Sequence, residues 1–446
     1  MSNGVEREQW ASKLGFVLAA AGSAVGLGNI WRFPYITGQY GGAAFVILYV
    51  ILIFVIGYPV MMAEISLGRN AELNAVGTFK KLRGGPWVLV GWSGVAAGFI
   101  ILSYYGVIGG WTFKYIFSSF TGLMEAGAAG EAGNFFGGFV SNTAQVVGLQ
   151  ALFMVVVISV VYKGIGEGIE KYCKILMPGL FILLLVLIVR SVTLPGAGEG
   201  LAFYMKPDFS KMTGETFLAA LGQAFFSLSL GMGCMITYGS YLNKDSYIPG
   251  AAAQVCVLDT LVAILAGFVI FPAVFAFGLE PGAGAGLTFV TLPSVFSQMP
   301  GGAIWSCLFF ILLFVAALTS AISLLEVVCA YFIDEFKWTR HKATVVMGTI
   351  IFLCGIPSAY GLTGNLKVAG KDFLDAADFL ASNVLLPIGG LFIALFVGWL
   401  WSDEAKKEIS NQGDTPFGLT GIWIWICRIV APVAIGYIFL SGVGLL

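Results

Sequence analysis

From Leu14 to Leu440 long apolar runs of about 20 residues recur along the chain, parted by polar stretches. Each run is long enough to cross the hydrocarbon of a bilayer. Inside hydrocarbon the backbone must satisfy its own hydrogen bonds, so a chain patterned this way folds as a bundle of helices. Of 446 residues 58% are hydrophobic and only 11% charged, too little polar surface for a soluble protein of this length. The expected class is an all-α polytopic membrane protein. Eleven transmembrane segments are predicted: Leu14–Tyr35, Gly42–Leu67, Trp87–Phe117, Val146–Tyr162, Ile169–Val189, Phe217–Leu242, Ala251–Phe277, Ile304–Phe332, Val345–Ile356, Phe379–Trp401 and Ile422–Leu440.

Several chemistries drop out. The formal net charge of -1 argues against nucleic acid as a partner. The cysteines at 173, 234, 256, 307, 329, 354 and 427 form no C-x-x-C pair and sit mostly in apolar runs, so they read as small buried hydrophobes. The single histidine, His341, lies in a short basic loop, which removes histidine-based catalysis and histidine metal clusters. No nucleophile–base cluster is visible, so an enzyme is not expected. "AAAGSA" behind Arg7 and Lys13 would also fit a cleaved leader, but the motif it belongs to has a partner later in the chain.

Arg7, Lys13, Arg69, Lys80, Lys81, Arg83, Lys163, Lys171, Lys174, Lys244, Lys337, Arg340, Lys342, Lys406 and Lys407 fall at the N-terminus and in alternate loops. The opposite loops hold few basic residues, notably Arg190, Lys206, Lys211, Lys367 and Lys371. The positive-inside bias then puts the N-terminus in the cytoplasm and, with eleven spans, the C-terminus outside the cell membrane. Two outer stretches are long, Thr121–Thr143 and Gly278–Gly302, and either could be a functional lid or a plain connector.

The first segment is interrupted by "GSAVGLGNIWRFP", Gly22 to Pro34, and the sixth by "SLSLGMGCM". Ala24-Val25-Gly26-Leu27-Gly28 and Ser229-Leu230-Gly231-Met232-Gly233 share one pattern, small-apolar-Gly-apolar-Gly. Glycine breaks at corresponding places in two halves point to a transport site between inverted repeats, about 10–190 and 214–402, with a further helix at about 419–444. Close helix packing through Gly22 and Gly26 is the plainer alternative, but it gives no reason for Gly28 or Arg32. A break in hydrocarbon exposes backbone groups that cost several kcal/mol each unless they are satisfied. The amides of Leu27 and Gly28 suit a carboxylate. The carbonyls of Gly22, Ala24 and Val25 suit a cation, and those of Phe226 and Ser227 an ammonium group.

"WASKLGFVLAAAGSAVGLGNIWRFP", "LGQAFFSLSLGMGCMITYGSY" and "LFVAALTSAISLLE" resemble the first, sixth and eighth helices of the neurotransmitter:sodium symporters, the LeuT fold, and the likeness extends over nearly the whole chain. It is strongest to bacterial members that carry hydrophobic amino acids. Family members usually have twelve helices where eleven are counted here. The resemblance implies a sodium site formed by the Ala24 carbonyl, Asn29, Ser227, Asp259 and the substrate carboxylate. It implies a second from the carbonyls of Gly22, Val25 and Ala316 with the hydroxyls of Thr319 and Ser320. All are oxygens, as a hard cation requires. Without the resemblance, Thr319 and Ser320 would read as hydroxyls bonded back to their own helix.

The substrate would lie against Ala24, Gly26, Leu27, Gly28, Ile101, Tyr105, Phe226, Ser227, Ser229, Met232, Ser320 and Leu324. Tyr105 would donate to its carboxylate and, with Phe226, cover it from outside. The implied gates are Arg32 with Asp378 outside, through a charge pair or a bridging water, and Arg7 with Asp334 inside, braced by Trp10, Ser240 and Tyr241. A charge at the depth of Arg32 needs a partner. Monoamine carriers have aspartate at the position of Gly26; its absence leaves room for a substrate's own carboxylate. Met232, unbranched and adaptable, suits side chains of differing shape. The implied activity is symport of neutral aliphatic and aromatic amino acids, tryptophan included, with two Na+ ions, no organic cofactor and alternating access. Asp259 would replace a bound chloride, since the position one turn on is Ala263. A sodium-independent or proton-coupled transporter, or a channel of the same fold, is the alternative. Gly168 and Pro178, near the start of segment five, would let that end unwind and admit water, or belong to an ordinary helix start.

Overall fold

A computed structural model describes residues 7–279 and 286–446; the stretch 280–285 of the second long outer segment lies outside the described residues. Among those residues nine helices are long and apolar enough to cross a membrane: Ala43–Ala71, Gly85–Ser118, Thr143–Val161, Ile165–Val192, Ile248–Ala276, Gly302–Phe336, Arg340–Gly361, Phe373–Leu400 and Thr420–Gly442. A tenth span is the pair Lys13–Ala24 and Gly28–Gln39, bent by 52°. The sixth predicted segment is split further, into Gly214–Ser227 and Cys234–Gly239. Neither half is long enough to cross alone, so the count of eleven depends on taking the two as one span. In that numbering they are helix six, the bent pair is helix one, and the others follow in order.

Most helices outrun their apolar runs. The ninth was predicted over Val345–Ile356 and extends from Arg340 to Gly361, because the Thr339 hydroxyl accepts the Lys342 N–H at 3.3 Å and starts the helix ahead of its apolar stretch. The tenth begins at Phe373, where Asp372 accepts the Asp375 N–H at 2.8 Å. A two-residue hairpin, Lys367–Val368 paired antiparallel with Lys371–Asp372, precedes it.

Burial separates post from rim. Helix eight is buried over 83% of its most apolar stretch, whereas helices five and eleven reach only 28%. Helix eight is therefore the central post, against which helices one, three and five pack. Helix five turns Ile175, Ile182, Leu185 and Val189 outward at helical spacing, as a lipid-facing helix does. The long stretch Thr121–Thr143 is not a plain connector: it forms the helices Leu123–Ala128 and Ala132–Val140.

Both breaks have local causes. In helix one Val25 leaves the helix at φ -69°, ψ 107°. In helix six residues 228–233 are non-helical, with positive φ at Ser229 (54°), Gly231 (77°) and Gly233 (76°). A Cβ on Gly231 would lie 2.2 Å from the Leu386 carbonyl oxygen, so only glycine admits helix ten here. Ser229 tolerates its left-handed backbone, a cost of about 1–3 kcal/mol, because its hydroxyl donates to the Ser23 carbonyl at 2.9 Å. That bond ties one break to the other.

Candidate functional site

The breaks of helices one and six face each other across a cavity of about 30 Å3, walled by helices three and eight. Its lining holds Ala24, Gly26, Gly28, Ile101, Tyr105, Phe226, Ser227, Ser229, Met232, Ser320 and Leu324, together with Ser23. All the predicted substrate positions except Leu27 are in that wall. Leu27 is one bond behind it, its N–H donating to the Tyr105 hydroxyl oxygen at 3.1 Å. Tyr105 thus accepts from the break and keeps its own proton for another acceptor. Among the described residues the lining carries no charged side chain. One part is polar, with Tyr105, Ser227, Ser229 and Ser320; the rest is Ile101, Phe226, Met232 and Leu324. Gly26 has no room for a side chain: a Cβ would stand 2.5 Å from Ser320 Oγ and 2.9 Å from Tyr105 Oη.

Beside the cavity Asp259 is fully buried, and its carboxylate is met only by neutral donors: Asn29 Nδ2 at 2.8 Å, Ser227 Oγ at 2.9 Å to both oxygens, and Tyr49 Oη at 3.3 Å. Asn29 Oδ1 accepts the Gly26 N–H at 3.0 Å. The first predicted ion group, Asn29, Ser227 and Asp259 next to Ala24, is therefore one cluster. A buried carboxylate among neutral oxygen-bearing groups is suited to a hard monovalent cation. In the second group Ser320 Oγ bridges to the carbonyls of Val25 (3.2 Å), Ser23 (3.1 Å) and Gly22 (3.5 Å). Thr319 bonds back to Val315 and Ala316 at 3.1 Å, while a Cβ on Gly22 would touch its side chain. The five predicted residues meet where helix eight passes the first break.

The profile described as the Sodium:neurotransmitter symporter family matches residues 7–131 and 140–444. The chain belongs to that family. An uncharacterised sodium-dependent transporter of Bacillus subtilis, YhdH, is 42% identical over 442 residues, covering 98% of each chain. One of Haemophilus influenzae is 40% identical over 455 residues, covering 99% of each. Among solved structures, MhsT in complex with L-phenylalanine is 51% identical, with a TM-score of 0.90 over 98% of this chain and all of that one. The protein is thus a multi-pass membrane protein of a sodium-dependent transporter family, with the LeuT-type architecture of MhsT.

The two sides of the cavity differ. On the side of the N-terminus Arg7 Nη1 meets both Asp334 oxygens at 2.8 and 2.9 Å, and Nη2 donates to Ser240 Oγ at 2.7 Å. The guanidinium covers the Tyr241 ring at 4.7 Å. Trp10 donates through Nε1 to the Tyr238 carbonyl at 2.9 Å and through its backbone N–H to the Tyr241 carbonyl at 3.1 Å. On the opposite side a vestibule of about 500 Å3 opens above Tyr105 and Phe226, with Phe136 and Val140 of the helix Ala132–Val140 in its wall. The predicted Arg32–Asp378 pair makes no direct ion pair. Arg32 instead lies over the Phe226 ring at 4.9 Å, and Asp378 accepts from Tyr104 at 2.8 Å and Ser382 at 2.9 Å. A tyrosine and a serine within reach satisfy the carboxylate, and the aromatic face takes the cation. Asp378→Asn should lower uptake about tenfold while sodium binding persists, the worth of one charge-assisted bond network. Wild-type uptake by that variant would remove Asp378 from the gate.

At the start of helix five, Ile165–Glu170 forms a π-turn and Pro178 sits inside the helix that follows. Gly168 is a poor place to test unwinding, because an added Cβ would lie 2.3 Å from the Val160 carbonyl. Pro178→Ala is cleaner: it restores a backbone bond to this stretch and should slow inward sodium release roughly fivefold. Sodium efflux from preloaded proteoliposomes reads this directly, and an unchanged rate counts against unwinding there.

Sequence reasoning missed several residues. Glu64 is fully buried, and its Oε1 accepts the Gly231 N–H at 2.7 Å, so it holds the second break from helix two. The signal was available: it is the only acid within predicted segment two, and an ionisable residue at membrane depth is functional by default. Gln223 Nε2 donates to the Gly28 carbonyl at 2.8 Å, and Ser23 Oγ to Ser323 Oγ at 2.7 Å. Neither Gln223 nor Tyr49 stands out in the sequence, because each gains its role from a partner nearly 200 positions away or more.

Proposed function

We propose that the protein is a symporter that carries neutral hydrophobic L-amino acids into the cell, driven by two sodium ions and independent of chloride. The observation that carries this reading is the cavity between the two helix breaks: polar where backbone amides and Tyr105 gather, apolar elsewhere, and without charged side chains. The polar part suits the α-carboxylate and α-ammonium groups that every amino acid has. The uncharged remainder excludes charged side chains, which would be buried without a partner. The 51% identity to MhsT, solved with L-phenylalanine, supports an aromatic among the substrates.

The first ion, near Asn29, Ser227 and Asp259, would share the substrate carboxylate as a ligand, so ion and amino acid stabilise each other. The second, near Ser320, Val25 and Gly22, would clamp helix one to helix eight. In the geometry seen here the Arg7–Asp334 pair closes the inner side and the vestibule opens outward, toward the side we assign to the cell exterior by the positive-inside bias. Transport requires the reverse arrangement. When sodium leaves, Asp259 would be left as a buried carboxylate, and protonation for the return step would relieve that cost.

Competition against a labelled amino acid in sodium-containing proteoliposomes tests the reading. Leucine, phenylalanine and tryptophan are expected to share one site, with lysine, glutamate and dopamine excluded. Adaptable Met232 widens the range, and the absence of a carboxylate at Gly26 excludes the amine. Strong competition by dopamine or glutamate, or binding that is unchanged without sodium, would refute it.

A further inference from the structure

Helix eleven carries an arginine that no transport step uses. Arg428 lies about 12 Å along the helix from Thr420, within an apolar stretch. Its carboxylate partners would be expected nearby, since a charge at that depth is costly alone. Among the described residues no carboxylate lies within 4 Å of it. Asp403, on the preceding helix Ser402–Ile409, is exposed and paired with Lys406 at 2.9 Å, which holds its carboxyl below the usual range, with Arg428 adding only a longer-range pull. Glu408 of the same helix is tied to Arg69 at 2.7 Å, and Glu404 is exposed.

The guanidinium is anchored by one edge only. Nε donates to the Gly398 carbonyl at 2.5 Å and Nη2 to Ser402 Oγ at 3.3 Å, while Nη1 has no acceptor among the described residues. Helices ten and eleven touch at this point: a Cβ on Gly398 would lie 2.8 Å from the Arg428 nitrogen, so their crossing forms a shallow floor. Two tryptophans flank it. Trp399 is 61% exposed, lies under the guanidinium at 5.5 Å and donates through Nε1 to the Arg428 carbonyl at 3.1 Å; Trp425, 55% exposed, is one turn back on helix eleven. Exposed Ile422, Ile429 and Leu400 continue the surface. A half-buried arginine with a free edge, between tryptophans and apolar side chains that face the hydrocarbon, is at the depth where headgroups meet acyl chains. The leaflet is the one on the Arg7 side, because the segment before helix eleven bonds to Arg69 and to the Asp245 carbonyl on that face.

We propose that Arg428, between Trp399 and Trp425 at the crossing of helices ten and eleven, binds the phosphate of an anionic phospholipid of the inner leaflet. The free N–H edge takes phosphate oxygens, the tryptophans hold the glycerol region, and the isoleucines and Leu400 pack on the acyl chains. Inorganic phosphate shares the first of these contacts but none of the others.

The test uses the full chain in phosphatidylcholine vesicles doped with brominated phosphatidylglycerol or brominated phosphatidylcholine, read by quenching of tryptophan fluorescence. The wild type is expected to enrich the anionic lipid about fivefold over the neutral one. Trp399→Phe should remove much of the differential signal, which places it at this site. Arg428→Gln should lose the preference and Arg428→Lys should keep most of it. Where the glutamine variant does not fold, displacement in the wild type decides: unbrominated phosphatidylglycerol must relieve the quenching and millimolar inorganic phosphate must not. Equal quenching by the two lipids, or relief by inorganic phosphate, overturns the proposal.

Discussion

Gly26→Ala is expected to weaken amino-acid binding by roughly 30- to 150-fold, the loss of one to two hydrogen bonds to a charged group. The new methyl would sit 2.5 Å from Ser320 Oγ and 2.9 Å from Tyr105 Oη. Neither neighbour is free to retreat. Ser320 is bonded to the Val25 and Ser23 carbonyls, and Tyr105 accepts the Leu27 N–H. One of these contacts has to break, and each borders a group proposed to hold the substrate carboxylate or the second ion. Gly26→Asp should go further, since it brings a second carboxylate to the place where the substrate's own would lie. Equilibrium binding of labelled leucine to purified protein at saturating sodium measures both. Leucine affinity near the wild-type value in the alanine variant would show that the substrate lies elsewhere.

Asp259→Asn addresses coupling. The asparagine keeps the size of the side chain and can still bond Ser227 and Asn29, but it removes the one negative charge proposed to face the first ion. Sodium affinity should fall about tenfold or more, in line with a lost charge-assisted contact in a buried site. Uptake by the variant should then rise when chloride is supplied, because an anion could restore the balance. The wild type should transport equally well in chloride and in gluconate. Proteoliposomes with the two salts exchanged separate the cases. A wild-type protein that stops in gluconate would show that Asp259 is not the balancing charge.

The fold was legible because its main signals are local. An apolar run of bilayer length is a helix wherever it falls, since the backbone has no other partner in hydrocarbon. The glycine pattern in segments one and six marked both breaks to within a residue or two: helix one ends at Ala24 and resumes at Gly28, and helix six ends at Ser227. Residues on the broken stretches were therefore readable, and so was Asp259 through the family resemblance. The helix ends were less so. The extra turns at Arg340 and Phe373 depend on caps outside the apolar pattern.

What the sequence by itself determined is the list of groups that could meet an ion or a zwitterion: broken backbone, small residues and buried oxygens. Only the tertiary structure decided how those groups are spent. It bonds Tyr105 to the Leu27 amide, gives Ser320 to the carbonyls of helix one, and sets Glu64 under the second break. It also leaves Arg32 on Phe226 instead of Asp378, while closing Arg7 on Asp334. The two pairs expected as gates are alike as sequence, each a distant arginine and aspartate. Which pair is joined is a property of packing across the whole bundle, which no local pattern carries.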